Sequence, residues 1–149
     1  MKAITIIQPF ATLIAIGEKE FETRSWTTKY RGPLAIHAGK KVYKELCYQE
    51  PFKSVLAKHG YTADNLPTGA IVAKAYLQNC YKVARPTNGN GPVFLSAGGK
   101  TIGWGGVMPN EYYFGDYSNG RYAWKMENVN IILDQIPVKG QQGLWNWEG

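Results

Sequence analysis

The stretch that follows Gly17 constrains the fold of this chain more than any other part of its sequence. An apolar segment with helical periodicity over 9–16 ends at Gly17, and Lys19, Glu22 and Arg24 come directly after it. Each of these three charged groups resists burial unless it is paired. The stretch therefore forms either a solvated strand or the wall of a polar cleft, and the second alternative points to a functional site.

Hydrophobic periodicity predicts strands interspersed with short helices. The β-branched residues over 3–7 favour a buried strand, and the apolar segment over 9–16 favours a helix with Pro9 in its first turn. Residues alternate over 21–26, which places the even-numbered side chains of that strand on one face. The remaining predicted elements are strands over 33–38, 70–77 and 121–133 and a helical stretch over 41–59 that Pro51 breaks.

Strands dominate this pattern, and no internal repeat or linker divides the chain. We therefore expect residues 1–149 to form a single domain, which suits the length of 149 residues. The predicted fold class is α+β, with helices packed around a mostly antiparallel, barrel-like sheet. The compact aromatic end, with Trp145 and Trp147, is expected to close the core.

The charge balance favours an anionic partner. The chain has 17 Lys and Arg residues against 11 Asp and Glu residues, a formal net charge of +6. Nucleic acid is the simplest partner for such a surface, and a basic domain with scattered, solvated lysines is the alternative.

Metal, cofactor and membrane sites are not predicted. Cys47 and Cys80 lie far apart, and together with His37 and His59 they lack the spacing of a structural zinc site. We expect two buried, reduced thiols and no cofactor. No run of about 18 apolar residues is present, so the sequence predicts a cytoplasmic protein without a membrane span.

Several motifs match a known family. They include Gly17-x-Lys19-x-x-Glu22-x-Arg24-Ser25-Trp26, Tyr30-Arg31-Gly32-Pro33-Leu34 and the ending Gly143-Leu144-Trp145. With these motifs the chain resembles the ASCH domain over nearly its whole length, most closely the version found in activating signal cointegrator 1. The resemblance implies a β-barrel of the PUA-like superfamily, with a cleft beside the first helix that binds RNA or other nucleic acid.

The same resemblance leaves an enzymatic alternative open. Some small bacterial relatives hydrolyse N4-acetylcytidine with a lysine, a threonine and a glutamate, and others are described as ribonucleases. Lys19 matches the lysine of that pattern, whereas Glu22 stands where the pattern has threonine. If the protein is an enzyme, Lys19 and Glu22 are its catalytic candidates. Burial would lower the pKa of Lys19, and an ionised Glu22 beside it would raise that pKa again.

We expect Lys19, Glu22 and Arg24 to line one polar cavity. Lys19 and Arg24 suit phosphate, and Trp26 suits stacking on a base. Each has a structural alternative: a solvated turn lysine, an ion pair between Glu22 and Arg24, and a core tryptophan. The predicted nucleic-acid-binding residues are Gln8, Lys19, Arg24, Trp26, Lys40, Tyr117 and Arg121.

Overall fold

A computed structural model describes residues 1–86, 89 and 91–149. The described residues form eight strands and four short helices. In chain order these are β1 (Lys2–Gln8), α1 (Phe10–Ala15), β2 (Phe21–Arg24), β3 (Gly32–Val42), α2 (Lys44–Cys47), α3 (Phe52–Lys58), β4 (Ala70–Ala84), β5 (Val93–Ala97), β6 (Lys100–Trp104), α4 (Asn110–Tyr113), β7 (Tyr122–Pro137) and β8 (Leu144–Asn146).

The strands form one mixed sheet with the order β2-β7-β4-β3-β1-β8, and β5 extends it from β4 to β6. Strands β1 and β3 run parallel, and the other pairs of described strands are antiparallel. The predicted α+β class is thus confirmed, as is a mostly antiparallel sheet.

The predicted PUA-like β-barrel is not confirmed. Within the described part of the chain no ladder joins β2 to β8, so the sheet is open between these two strands. Strand β2 has four residues and β8 has three. Strands this short offer few backbone groups for the additional ladder that closure requires.

The first two elements form as the sequence pattern predicts. Strand β1 and the first half of β3 are largely apolar because the sheet buries them on both faces. Helix α1 buries Leu13 and Ile14 completely, and it ends before Gly17, whose φ of +80° favours glycine. This turn sets the direction in which the chain enters β2.

Several predicted boundaries were wrong. Strand β2 ends at Arg24, so Trp26 lies beyond it in a bend. Strands β4 and β7 extend to Ala84 and Pro137, because they pair with each other along most of their length. The helical stretch does break at Pro51, into α2 and α3, but its first residues belong to β3.

Helix α1 is buried between two apolar clusters. Ile14 packs with the sheet residues of the main core, which includes Trp124. Leu13 packs instead with α3 and with Phe114 in a second cluster. Trp145 and Trp147 are buried, as predicted. Among the described residues, none of the helices is long and apolar enough to cross a membrane.

Candidate functional site

A cavity of about 510 Å³ opens between β2, α1, α3 and the chain that follows α4. We call it the aromatic cavity. Its lining residues include Phe10, Glu22, Arg24, Phe52, Phe114 and Arg121.

Glu22 and Arg24 lie on the cavity wall formed by β2 and pair with each other. They are two residues apart on a strand, so both side chains project from the same face. Arg24 Nε and Nη2 each lie 3.0 Å from Glu22 Oε2, and Nη2 also donates to the Thr5 carbonyl at 2.8 Å. The arginine is therefore fixed in place, and part of its hydrogen-bonding capacity is used inside the protein.

Lys19 does not line the aromatic cavity, contrary to the prediction. Its side chain is 1 % exposed, and Nζ donates to the Phe114 carbonyl at 2.6 Å. Nζ lies 3.9 Å from Glu22 Oε1, so the lysine contacts this wall residue from the protein interior and not from the cavity. Burial lowers the pKa of Lys19, although the carboxylates of Glu22 and Glu111 act in the opposite direction.

Glu111 is a supporting residue that the sequence reasoning missed. Its carboxylate accepts hydrogen bonds from the backbone nitrogens of Glu20, at 2.6 Å, and Phe21, at 3.2 Å. It thereby ties α4 to the start of β2. Burial raises the pKa of Glu111, and the nearby Lys19 charge opposes this shift. No local motif marks Glu111, because its partners lie about 90 residues earlier in the chain.

Asp116 and Arg121 form a second charged pair on the cavity lining. Arg121 Nε lies 3.4 Å from Asp116 Oδ2, and the Asp116 backbone nitrogen donates to Thr23 Oγ1 at 3.0 Å. Burial alone would raise the pKa of Asp116, but hydrogen bonds from Ser118 and the charge of Arg121 hold it below its usual range. Arg121 thus lies at the cavity, as predicted. Its acidic partner, Asp116, was not predicted.

Tyr117 and Gln8 are buried away from the cavity. Tyr117 is 2 % exposed and packs its ring against Trp104, with the ring centroids 5.1 Å apart. The amide of Gln8 donates to Thr12 Oγ1 and accepts from the Thr12 backbone nitrogen, at 2.7 and 2.9 Å. Both residues were predicted to lie near the cleft and contact nucleic acid. Neither belongs to the cavity lining, because apolar packing holds the tyrosine and the first turn of α1 holds the glutamine.

Trp26 and Lys40 lie on two neighbouring cavities. A cavity of about 410 Å³, the tryptophan cavity, is lined by Trp26 and Arg24. The Trp26 ring packs edge-on against Trp124 at a centroid distance of 4.8 Å. A cavity of about 730 Å³, the lysine cavity, is lined by Lys40 and Lys139. Both residues are thus outside the aromatic cavity, on adjoining surface.

Comparison with known protein families identifies the chain. The family model described as the ASCH domain matches residues 4–131, which include the whole of α1, β2 and α4. The chain belongs to the ASCH domain family. A search among curated proteins found no match.

The aromatic lining of this ASCH domain was also missed from the sequence. Tyr43 and Tyr113 line the cavity and are 39 % and 51 % exposed. Phe52 packs against Phe114 with ring centroids 5.1 Å apart. These residues come from separate elements, so no sequence spacing indicates that they meet. Among the described residues, no group of three or more His, Cys, Asp or Glu side chains is arranged to hold a metal ion.

Proposed function

We propose that this ASCH domain binds nucleic acid, RNA foremost, and that the aromatic cavity holds one nucleobase of the bound strand. Membership of the family is consistent with binding of RNA or other nucleic acid. The observation that carries the proposal is the composition of the cavity, where aromatic rings surround two carboxylate–guanidinium pairs. Its volume of about 510 Å³ lies within the range of small-ligand sites, about 300–1,000 Å³.

The aromatic walls suit a flat, unstacked base. Tyr43 and Tyr113 expose part of their rings at the cavity, and Phe10 packs edge-on against Phe52 with centroids 6.0 Å apart. Stacking of a base on an aromatic side chain contributes about 1–3 kcal/mol and tolerates any base. Single-stranded RNA offers bases that are free to leave the stack, whereas a duplex does not.

The polar pair suits the edge of that base. Glu22 is an acceptor for an exocyclic amino group or a ring N–H, and Arg24 holds its carboxylate in a single orientation. Two carboxylates and two arginines line the cavity and form pairs, so the site is close to neutral. We infer that the cavity recognises the base and that phosphates are bound elsewhere on the +6 surface.

The proposed location is the cytoplasm. Cys47 and Cys80 are both buried and free, which agrees with the reducing conditions of that compartment.

Calorimetric titration with nucleoside monophosphates and single-stranded RNA tests this function. Tyr113→Ala should weaken the binding of both by about 5- to 150-fold, the effect of one lost stacking contact. Tyr48→Ala is the matched control, because Tyr48 is 62 % exposed and does not line the cavity. An equal loss of affinity in Tyr113→Ala and Tyr48→Ala, or no binding by the wild type, would reject the proposed site.

A second pair of variants tests the polar contact. Glu22→Gln keeps the shape of the side chain but removes its charge, so monophosphate affinity should fall about tenfold with a changed order of base preference. Glu20→Gln is the control on the same segment. An unchanged base preference in Glu22→Gln would show that this carboxylate does not read the base.

Hydrolysis of a modified nucleoside or of RNA is the second candidate function. The specific observation in its favour is Lys19, whose pKa is lowered by burial and whose Nζ lies 3.9 Å from Glu22. A neutral amine is a competent nucleophile or base. The placement of Lys19 behind the cavity wall favours binding over this alternative.

Direct assays separate the two functions. Purified protein is incubated with N4-acetylcytidine, and cytidine is sought by chromatography. Labelled RNA is incubated in parallel and examined for cleavage on a gel. Product that disappears in Lys19→Ala would establish the enzymatic alternative, and intact substrates at high protein concentration would reject it.

A further inference from the structure

We infer that a bound strand runs from the aromatic cavity through the tryptophan cavity into the lysine cavity, where Lys40 and Lys139 bind its backbone phosphates. This inference rests on the proposed function, because it assigns a path to the strand whose base occupies the aromatic cavity. It commits to a single-stranded ligand of at least three nucleotides.

The three cavities lie side by side, and we call the surface that they form the groove. Thr5 lines all of them, and Arg24 lines both the aromatic and the tryptophan cavity. Gln141 and Gln142 line both the tryptophan and the lysine cavity. The volumes of about 510, 410 and 730 Å³ each fall within the range of a small-ligand site. A strand that leaves one cavity therefore reaches the next across the residues that the two cavities share.

Charge is distributed unequally along the groove. In the aromatic cavity Arg24 and Arg121 face Glu22 and Asp116. In the lysine cavity no carboxylate lies among the described lining residues, whereas Lys40 and Lys139 do. The tryptophan cavity adds only Arg24, which is already paired with Glu22. Positive charge that lacks a local counterion attracts phosphate, because binding releases the counterions of the nucleic acid. The phosphate contacts are therefore placed at the lysine end of the groove.

The segment that carries Lys139 is held in a fixed position. His37 Nε2 donates to the Val138 carbonyl at 2.6 Å, and the Val138 backbone nitrogen donates to the Gly69 carbonyl at 3.1 Å. A Cβ atom at Gly140 would lie 2.7 Å from Thr5 Oγ1, so only glycine allows this approach. A fixed segment lowers the ordering cost of binding.

Trp26 provides a stacking surface between the two ends. Its ring is half-buried and lines the tryptophan cavity. Trp124 Nε1 donates to the Trp26 carbonyl at 3.1 Å, and the Trp124 ring packs edge-on against the Trp26 ring. These contacts fix the orientation of Trp26. We assign the second base of the strand to this ring.

The test compares RNA ligands of increasing length, from a mononucleotide to a hexanucleotide, by fluorescence anisotropy at several salt concentrations. Lys40→Ala/Lys139→Ala should weaken hexanucleotide binding about tenfold and reduce the slope of log K against log salt by about 1.4, the value for two phosphates of a single strand. Mononucleotide affinity should stay unchanged. Lys40→Arg/Lys139→Arg should restore both quantities.

Lys29→Ala/Lys100→Ala is the matched control, since it removes the same charge from exposed residues that line none of the three cavities. If both double variants lose equal affinity, the effect is one of net charge and the path is rejected. If the wild type binds mononucleotide but gains nothing with length, the path is rejected and the proposed function stands. If the wild type binds neither ligand, both are rejected.

Discussion

Lys19 occupies an environment in which a lysine needs specific partners. It is 1 % exposed, and its ammonium faces the Phe114 carbonyl and the Glu22 carboxylate. Removing one member of a buried charged group leaves the others without compensation. Lys19 therefore contacts two residues of the aromatic cavity and is expected to contribute to the stability of the fold.

We predict that Lys19→Met lowers the free energy of unfolding by about 3 kcal/mol, since it leaves the buried Phe114 carbonyl without its donor and removes a positive charge close to Glu22 and Glu111. Urea unfolding followed by circular dichroism measures the change. Lys53→Met, at an exposed position on α3, should stay within about 0.5 kcal/mol of the wild type. A similarly small effect of Lys19→Met would show that its charge does not support the wall.

Glu111 predicts a dependence of stability on pH. Burial raises its folded pKa above the usual 4.5. Its contribution to stability is therefore fully present below about pH 4.5 and is lost as pH rises through the folded pKa. Glu111→Gln should lack this loss of stability. The difference in the free energy of unfolding between wild type and variant should therefore change with pH in that window. Urea unfolding between about pH 4 and pH 8 measures it, with Glu45→Gln as the exposed control. Parallel profiles for wild type and Glu111→Gln would contradict the prediction.

At the scale of elements, the loop after β7 and the strand β3 approach closely at Gly140. A methyl group there would lie 2.7 Å from both Thr5 Oγ1 and His37 Cε1. Neither neighbour is free to move away, because His37 is hydrogen-bonded to the Val138 carbonyl and Thr5 Oγ1 accepts from Trp145 Nε1. The loop itself must therefore move to accommodate any side chain.

We predict that Gly140→Ala lowers the free energy of unfolding by about 1–3 kcal/mol, through overpacking, and weakens hexanucleotide binding more than mononucleotide binding. Thermal unfolding and anisotropy measure the two effects. Gly105→Ala is the control, because its Cβ would meet Pro92 at an ordinary 3.6 Å. If Gly140→Ala behaves like Gly105→Ala, the loop is not held as described.

The local sequence pattern predicted which strands and helices form better than it predicted where they end. Apolar patterning located β1 and α1, and strand alternation placed Glu22 and Arg24 on one face, where an ion pair was one of the alternatives. The length of β4 and β7 depends on their pairing with each other, which a local pattern does not report. Closure of the sheet likewise depends on strand ends that meet only in the folded molecule.

The candidate site was predicted in part for the same reason. Glu22 and Arg24 are neighbours in sequence, and their shared face follows from strand geometry. Lys19 was expected on the lining, but the carbonyl that holds it belongs to Phe114, 95 residues later. Glu111 and the aromatic side chains likewise reach the site through tertiary contacts, which residue types and spacing do not reveal.

At the scale of the whole molecule, the proposed function depends on both the net charge and the groove. In the proposed function, the net charge of +6 attracts any polyanion, and the aromatic and tryptophan cavities add stacking contacts with the bases. If charge alone accounted for RNA binding, the binding would disappear as the salt concentration rises. Base contacts predict a residual preference for RNA when salt screens the surface.

Ligand-induced stabilisation separates these two contributions. Single-stranded RNA at 100 times its Kd should add about 2.7 kcal/mol to the free energy of unfolding, which raises Tm by about 5–10 °C for a chain of this size. Inorganic polyphosphate of matched charge should give a smaller shift that vanishes as salt rises, because it offers no base to the aromatic cavity. Differential scanning fluorimetry at low and high salt measures both, with duplex RNA as the control for unstacked bases. Equal shifts for RNA and polyphosphate at every salt concentration would mean that this ASCH domain recognises charge alone and that its aromatic cavity takes no part in binding.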